Sequence, residues 1–213
     1  MSTQVKRVTA RRLIAPLLAT AVALTVAVSP SAQAARQPLL PPVGAVIPMP
    51  MLALNVPMTI QSAPVTVDFW GRLKVRVDAN PNDPINSVRL RVVGFKMSGE
   101  LPARAGGGSI TIAQNDVDVD PKSLLRIVQS FPPMFEQIMV LSFTMVIEQP
   151  QSRMAEPLIL TTRDPAKLIG SLTQFPPKGD LYQLQNPVDL IDLENPDTVA
   201  ANIQKFPVKV GGI

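Results

Sequence analysis

The acidic residues of this chain are densest in one short stretch. Asp116, Asp118 and Asp120 alternate with valines, so an extended strand would place their three carboxylates on one face. Carboxylate oxygens are ligands that Ca²⁺ prefers, although the stretch lacks the glycine and the distal glutamate of an EF-hand loop. A solvated or salt-bridged face explains the same pattern. The sequence therefore predicts no cofactor and no metal, with these three carboxylates as the weak metal candidates.

Basic residues occupy alternate positions in two other segments. Arg72, Lys74 and Arg76 alternate with leucine and valine, and Arg89 and Arg91 do so in the next apolar run. If these two segments pair as strands, the five cations form one patch. Such a patch suits an anionic cell-envelope polymer or lipid headgroups. The alternative is that the cations pair with acidic residues on neighbouring strands.

Histidine and cysteine are both absent from the chain. Their absence excludes Ser-His-Asp and Cys-His catalysis and zinc sites built on these ligands. A hydrolase would have to use paired carboxylates, such as Asp116 with Asp118 or Asp189 with Asp192. The three glycines at 106–108 precede a strand-like run and not a helix, so they predict a hairpin connection and not a phosphate loop.

The first 34 residues have the pattern of a secretion signal. A basic beginning is followed by an apolar stretch and by Ala32-Gln33-Ala34, which fits a cleavage site. The apolar run of about 16 residues is short for a membrane span, so we expect a secreted protein without a transmembrane anchor after cleavage. The chain has 20 Lys+Arg and 16 Asp+Glu. Four of the basic residues lie in the signal, and the balanced remainder gives no support for nucleic-acid binding.

One pattern occurs three times and predicts local structure. Its copies at 120–133, 164–177 and 195–207 begin with Asp-Pro or Asn-Pro and end with Phe-Pro. Asp or Asn is a good helix N-cap, and proline fits the first helical position. Apolar residues at i, i+4 and i+7, such as Leu168, Leu172 and Phe175, share one helical face. The pattern predicts three short helices whose terminal phenylalanines, Phe131, Phe175 and Phe206, are buried.

The other apolar segments predict β-strands. They alternate or run continuously over 72–77, 88–92, 109–117, 138–147, 157–162, 181–185 and 188–193. Two strands then precede each predicted helix, which favours an α+β fold: a mostly antiparallel sheet with three short helices on one face, in ββα units. The alternative is a β-sandwich with short connecting helices. We divide the chain into the signal at 1–34, a proline-rich apolar arm at 35–64, and a single β-rich domain at 65–213.

Three functional classes stay open on the sequence alone. The excess of hydrophobic residues (46%) over charged ones (17%) favours an exported non-enzymatic protein that binds a lipid or another hydrophobic ligand. A secreted, esterase-like hydrolase without a histidine triad is the second hypothesis. The third is an extracellular structural or interaction protein that uses the apolar arm or a free sheet edge.

Overall fold

A computed structural model describes residues 39–115, 119, 122–149 and 156–212. The signal at 1–34 and the carboxylates of Asp116, Asp118 and Asp120 lie outside these residues. Within them, no helix is long and apolar enough to cross a membrane. The described ranges contain one turn of 3₁₀ helix, Ala103–Ala105, and thirteen strands. These are β1 (Val46–Ile60), β2 (Ala63–Ala79), β3 (Ser87–Glu100), β4 (Ser109–Gln114), β5 (Leu124–Ser130), β6 (Pro133–Leu141), β7 (Phe143–Glu148), β8 (Leu158–Thr162), β9 (Ala166–Leu172), β10 (Asp180–Leu184), β11 (Val188–Asp192), β12 (Val199–Ile203) and β13 (Val208–Val210).

The strands combine into eight long antiparallel segments that run up and down in chain order. β1, β2 and β3 are the first three segments, and each later one joins two consecutive strands, from β4/β5 to β12/β13. Every segment pairs with the next. The eighth segment also pairs with the first, because Ile203 of β12 lies opposite Met58 and Val210 of β13 lies opposite Met51. The sheet therefore closes on itself and has an inside and an outside.

Side-chain alternation decides which residues fill the inside. In β2, Leu73, Val75 and Val77 are fully buried, whereas the cations between them are exposed. This confirms the prediction of half-buried strands with a basic outer face. The inward side chains form one hydrophobic core. Six of its members are methionines, Met49, Met51, Met58, Met97, Met139 and Met145, whose flexible thioethers fit irregular gaps.

Part of the proline-rich region forms β1. Gly211 N donates a 2.9 Å hydrogen bond to the Pro50 carbonyl, so this carbonyl points toward β13. The N and C=O of one strand residue point to the same side, so the missing N–H of Pro50 faces the edge where β13 ends. Val210, the last residue of β13, pairs with Met51. Pro48 lies three residues before Met51, so it is beyond the end of β13, and it has the same orientation as Pro50. The prolines thus lie where the sheet requires no donor.

The predicted α+β fold is wrong. Across the described residues, the 3₁₀ turn is the one helical element, which excludes three helices on one face and also the connecting helices of the sandwich alternative. The repeated segments form β5, β9 and β12 instead. The offset i, i+4 is even and is therefore shared by a helical face and a strand face. In β9, Ala166, Leu168 and Leu172 are buried while Lys167 and Ser171 are not, which is the period of a strand.

Candidate ligand groove

The closed sheet has a gap between its third and fourth segments. β3 pairs with β5 up to Arg89, opposite Leu124, and with β4 from Lys96, opposite Ala113. Residues 90–95 of β3 therefore have no strand partner on this side. Among the described residues, two hydrogen bonds bridge the gap: Leu90 N donates to Ser123 O at 2.9 Å, and Gln114 Nε2 donates to Val92 O at 3.1 Å.

A groove of about 700 Å³ lies at this gap. Its volume falls within the range of roughly 300–1,000 Å³ that is usual for ligand pockets. Four of its lining residues are buried, the apolar Leu90, Val140 and Leu141 and the polar Ser123. Its charged lining consists of Asp78, Arg89, Arg91 and Lys122. The groove therefore combines an apolar floor with a largely cationic rim.

The charges of the groove are unevenly neutralised. The Asp78 carboxylate bridges two arginines, with Oδ1 3.4 Å from Arg76 Nε and Oδ2 3.1 Å from Arg91 Nε. Arg89 lies directly opposite Asp78 on the neighbouring strand, but it forms no ion pair with any residue of the described ranges. A guanidinium stays protonated at every physiological pH. Arg89 is therefore a permanent cation in the groove that these residues leave without a counter-charge.

One cavity inside the closed sheet is small and lined by apolar side chains. It has a volume of about 10 Å³, which is room for about one water molecule. The lining consists of Phe95, Ile112, Leu141, Phe143, Ala166, Leu168, Leu184, Val188, Ile203 and Phe206. Leu141 also lines the groove, so this residue lies between the groove and the interior cavity. Around this cavity the core is packed, and the cavity itself has no room for a lipid chain.

The structure distributes the predicted anion-binding residues over two places. Arg89 and Arg91 line the groove. Arg72, Lys74 and Arg76 lie exposed on the outer face of β2, and Arg76 is directly opposite Arg91. The two basic segments do pair as strands, which was the condition for a single patch, and anion binding at the five cations stays a prediction.

Of the two carboxylate pairs proposed for acid/base chemistry, Asp116 with Asp118 lies outside the described residues, and Asp189 with Asp192 is not brought together. Asp189 and Asp192 are three residues apart on β11, so they lie on opposite faces of the strand. Asp189 Oδ1 accepts a hydrogen bond from Asn202 Nδ2 at 2.8 Å, and Asp192 Oδ1 accepts one from Glu194 N at 3.0 Å. Among the described residues, no group of three carboxylates could hold a metal ion.

Sequence reasoning missed Lys122 and the apolar floor of the groove. Val140 belongs to the apolar run 138–141, and this run signals burial on both faces of β6. Val140 is 3% exposed although its neighbours Met139 and Leu141 face the interior. Ser123 Oγ accepts a 2.8 Å hydrogen bond from Val140 N, and Ser123 lines the groove together with Lys122. Residue patterns do not predict this contact between Ser123 and β6.

Comparisons with known proteins bear on the fold. No family model matches the chain, and no curated protein matches it. A solved structure, that of DynF from the dynemicin biosynthesis pathway of Micromonospora chersina, is similar with a TM-score of 0.63 and 20% sequence identity, over 82% of this chain and 83% of that one. At this identity the likeness shows a shared fold.

Proposed function

We propose that this chain is an exported, non-enzymatic binding protein whose groove takes an amphipathic molecule with an anionic group. The observation that carries the proposal is the placement of Arg89, a cation without an ion pair among the described residues, beside the buried side chains of Leu90, Val140 and Leu141. This combination matches a ligand that has one negative end and one apolar end.

Each end of the ligand has a physical reason to bind. A guanidinium recognises a carboxylate or phosphate through charge-assisted, often bidentate hydrogen bonds. The apolar end gains about 25 cal/mol for each Å² of surface that it buries on the groove floor. The packed interior accepts part of such a ligand only if core side chains move. The ligand therefore rests mainly in the groove, with Leu141 at its inner limit.

A titration with a fluorescent fatty acid tests the groove. The probe is a fatty acid that carries an anthracene label and a free carboxylate. We expect this carboxylate to bind, and its uncharged alcohol analogue to bind more weakly. Loss of one charge-assisted hydrogen bond costs about 1.5–3 kcal/mol, so Arg89→Gln should weaken carboxylate binding about 10- to 100-fold. Alcohol binding should change little in this variant.

The matched control is Arg104→Gln, which removes the same charge from the exposed 3₁₀ turn outside the groove. This variant should bind the carboxylate as the parent protein does. Equal binding of carboxylate and alcohol by the parent protein would refute an anion-selective groove, as would equal effects of the two substitutions.

Export rests on the signal at 1–34 and is tested separately. Protein recovered from the culture medium of a bacterial host should have a mass that corresponds to a chain beginning at Ala35. Recovery of the uncut chain from the cell interior alone would contradict export without affecting the groove.

A further inference from the structure

The outer face of β2 and β3 carries cations directly opposite one another. Arg72 lies opposite Lys96, and Arg76 lies opposite Arg91. Like charges in these positions destabilise a sheet. Asp78 bridges the second pair. Arg72, Lys74 and Lys96 have no ion pair with any residue that the structure describes. We call these five cations the basic face.

The strand beside the basic face supplies apolar groups. In the register between β1 and β2, Val46 lies opposite Arg76, Pro48 opposite Lys74, and Pro50 opposite Arg72. Each outward cation of β2 therefore has an exposed apolar neighbour.

An exposed tryptophan continues the same row. Trp70 lies two residues before Arg72 in β2, on the same outward side, and is 53% exposed. It lies opposite Leu52, next to which Lys209 of β13 adds a further exposed cation. Tryptophan prefers the boundary between lipid headgroups and acyl chains, where an apolar ring with a polar N–H is stable.

We propose that the basic face and Trp70 bind the surface of an anionic lipid bilayer. The cations contact headgroup phosphates, and Trp70 with the outward side chains of β1 enters the headgroup layer. An anionic polymer would account for the cations but leaves the interleaved apolar groups without a role, which is why the bilayer is favoured. Groove and basic face share Arg91, so the groove opens beside the surface that meets the membrane.

Vesicle sedimentation with the full exported chain tests this surface. We expect binding to vesicles of phosphatidylglycerol and phosphatidylcholine, and little binding to phosphatidylcholine alone. Each cation near an anionic membrane contributes about 1 kcal/mol, which is about 5-fold in affinity. The triple variant Arg72→Gln, Lys74→Gln, Lys96→Gln should therefore bind on the order of 100-fold more weakly. It should stay folded, because the substitutions relieve like-charge repulsion.

A second triple variant controls for net charge. Arg104→Gln, Lys178→Gln, Lys205→Gln removes three exposed cations that lie outside the basic face, so vesicle binding should stay within about 5-fold of the parent. Equal losses in the two triple variants would overturn a defined surface, and so would equal binding to neutral vesicles.

Trp70→Ser separates a bilayer from a polymer. It should remove the part of vesicle binding that survives high salt, because salt screens the cations but not the ring. Binding of soluble poly(glycerol phosphate) should be weaker than vesicle binding. Stronger polymer binding that is indifferent to Trp70→Ser would overturn the bilayer in favour of a polymer.

The two proposals fail independently. Arg89→Gln should leave vesicle binding within about 5-fold of the parent, and the basic-face triple variant should leave carboxylate binding in the groove unchanged, since none of its three residues lines the groove. If the labelled carboxylate fails to bind as expected while vesicle binding behaves as expected, the groove proposal is refuted. If vesicle binding alone fails, the membrane-surface proposal is refuted.

Discussion

The Tyr182 hydroxyl donates a 2.6 Å hydrogen bond to Oε1 of Gln137 inside the closed sheet. Both residues are fully buried, and Gly170 of β9 lies between them, opposite each in register. A Cβ at Gly170 would lie 2.6 Å from the Tyr182 ring, so this glycine lets the ring cross its strand. Gln137 Nε2 has no hydrogen-bond partner among the described residues. The amide is therefore held by one contact in an apolar core.

Tyr182→Phe should lower the free energy of unfolding by about 1–3 kcal/mol, because it leaves the buried Gln137 amide without its remaining partner. Denaturant unfolding monitored through Trp70 fluorescence measures the change. The informative control is the double variant Tyr182→Phe, Gln137→Leu, which replaces both partners by apolar groups. It should recover most of the loss. A single variant as stable as the parent would contradict a structural role for the hydrogen bond.

The same tyrosine should make stability fall at high pH. Burial, and to a lesser extent the Asp180 carboxylate, raises the pKa of Tyr182 above its ordinary value of 10.0. The folded state then keeps the proton that the unfolded chain releases above pH 10. The contribution is complete below pH 10 and declines above it, by about 1.4 kcal/mol for each pH unit.

The difference in stability between the parent and Tyr182→Phe isolates this effect, since other groups titrate equally in both proteins. It should be constant up to pH 10 and should shrink above it. A constant difference up to pH 11 would show that Tyr182 ionises as readily in the folded state as in the unfolded one.

The strands β2 and β3 and their basic outer face could be predicted because they depend on a period of two. Leucine or valine alternates with arginine or lysine in β2, and no helical face fits this pattern. The groove could not be predicted in this way. It exists because β3 exchanges one partner strand for another between Arg89 and Lys96, and a partner exchange leaves no mark on the alternation of β3.

The threefold repeat led to a wrong prediction of helices, because equivalent residues of its copies do not lie in equivalent environments in the fold. Leu168 and its counterpart Leu124 occupy the same place in their copies, yet Leu168 is 1% exposed while the buried residue of β5 is the next one, Leu125. A shift of one residue turns a strand over. The offset i+7 is odd, so in a strand it also reverses the face, and the closing phenylalanines have no common environment.

Those phenylalanines predict a graded response to truncation. Phe131 is 90% exposed, whereas Phe206 is 7% exposed and packs against Phe69 with ring centroids 6.1 Å apart. Phe131→Ala should change stability by no more than about 0.5 kcal/mol, and Phe206→Ala should cost about 3–5 kcal/mol. Phe175, which is partly buried against the core, should fall between them.

The three variants are compared by denaturant unfolding under identical conditions, so that each serves as a control for the others. A cost at Phe131 equal to that at Phe206 would mean that the exposed ring is buried in solution, and it would restore the view that the three copies are equivalent.

Asp78 should have opposite effects on stability and on ligand binding. Its carboxylate separates Arg76 from Arg91, whose strands place them directly opposite each other. Asp78→Asn should therefore lower stability by about 1 kcal/mol at low salt and by less in about 0.5 M salt. The same change leaves Arg91 without its counter-charge, so an anionic ligand in the groove should bind more tightly.

Glu100→Gln is the control, since it removes the same charge from the exposed end of β3, where no ion pair with a described residue exists. If both variants bind the labelled carboxylate equally, Arg91 does not contribute to the groove as an anion-binding group.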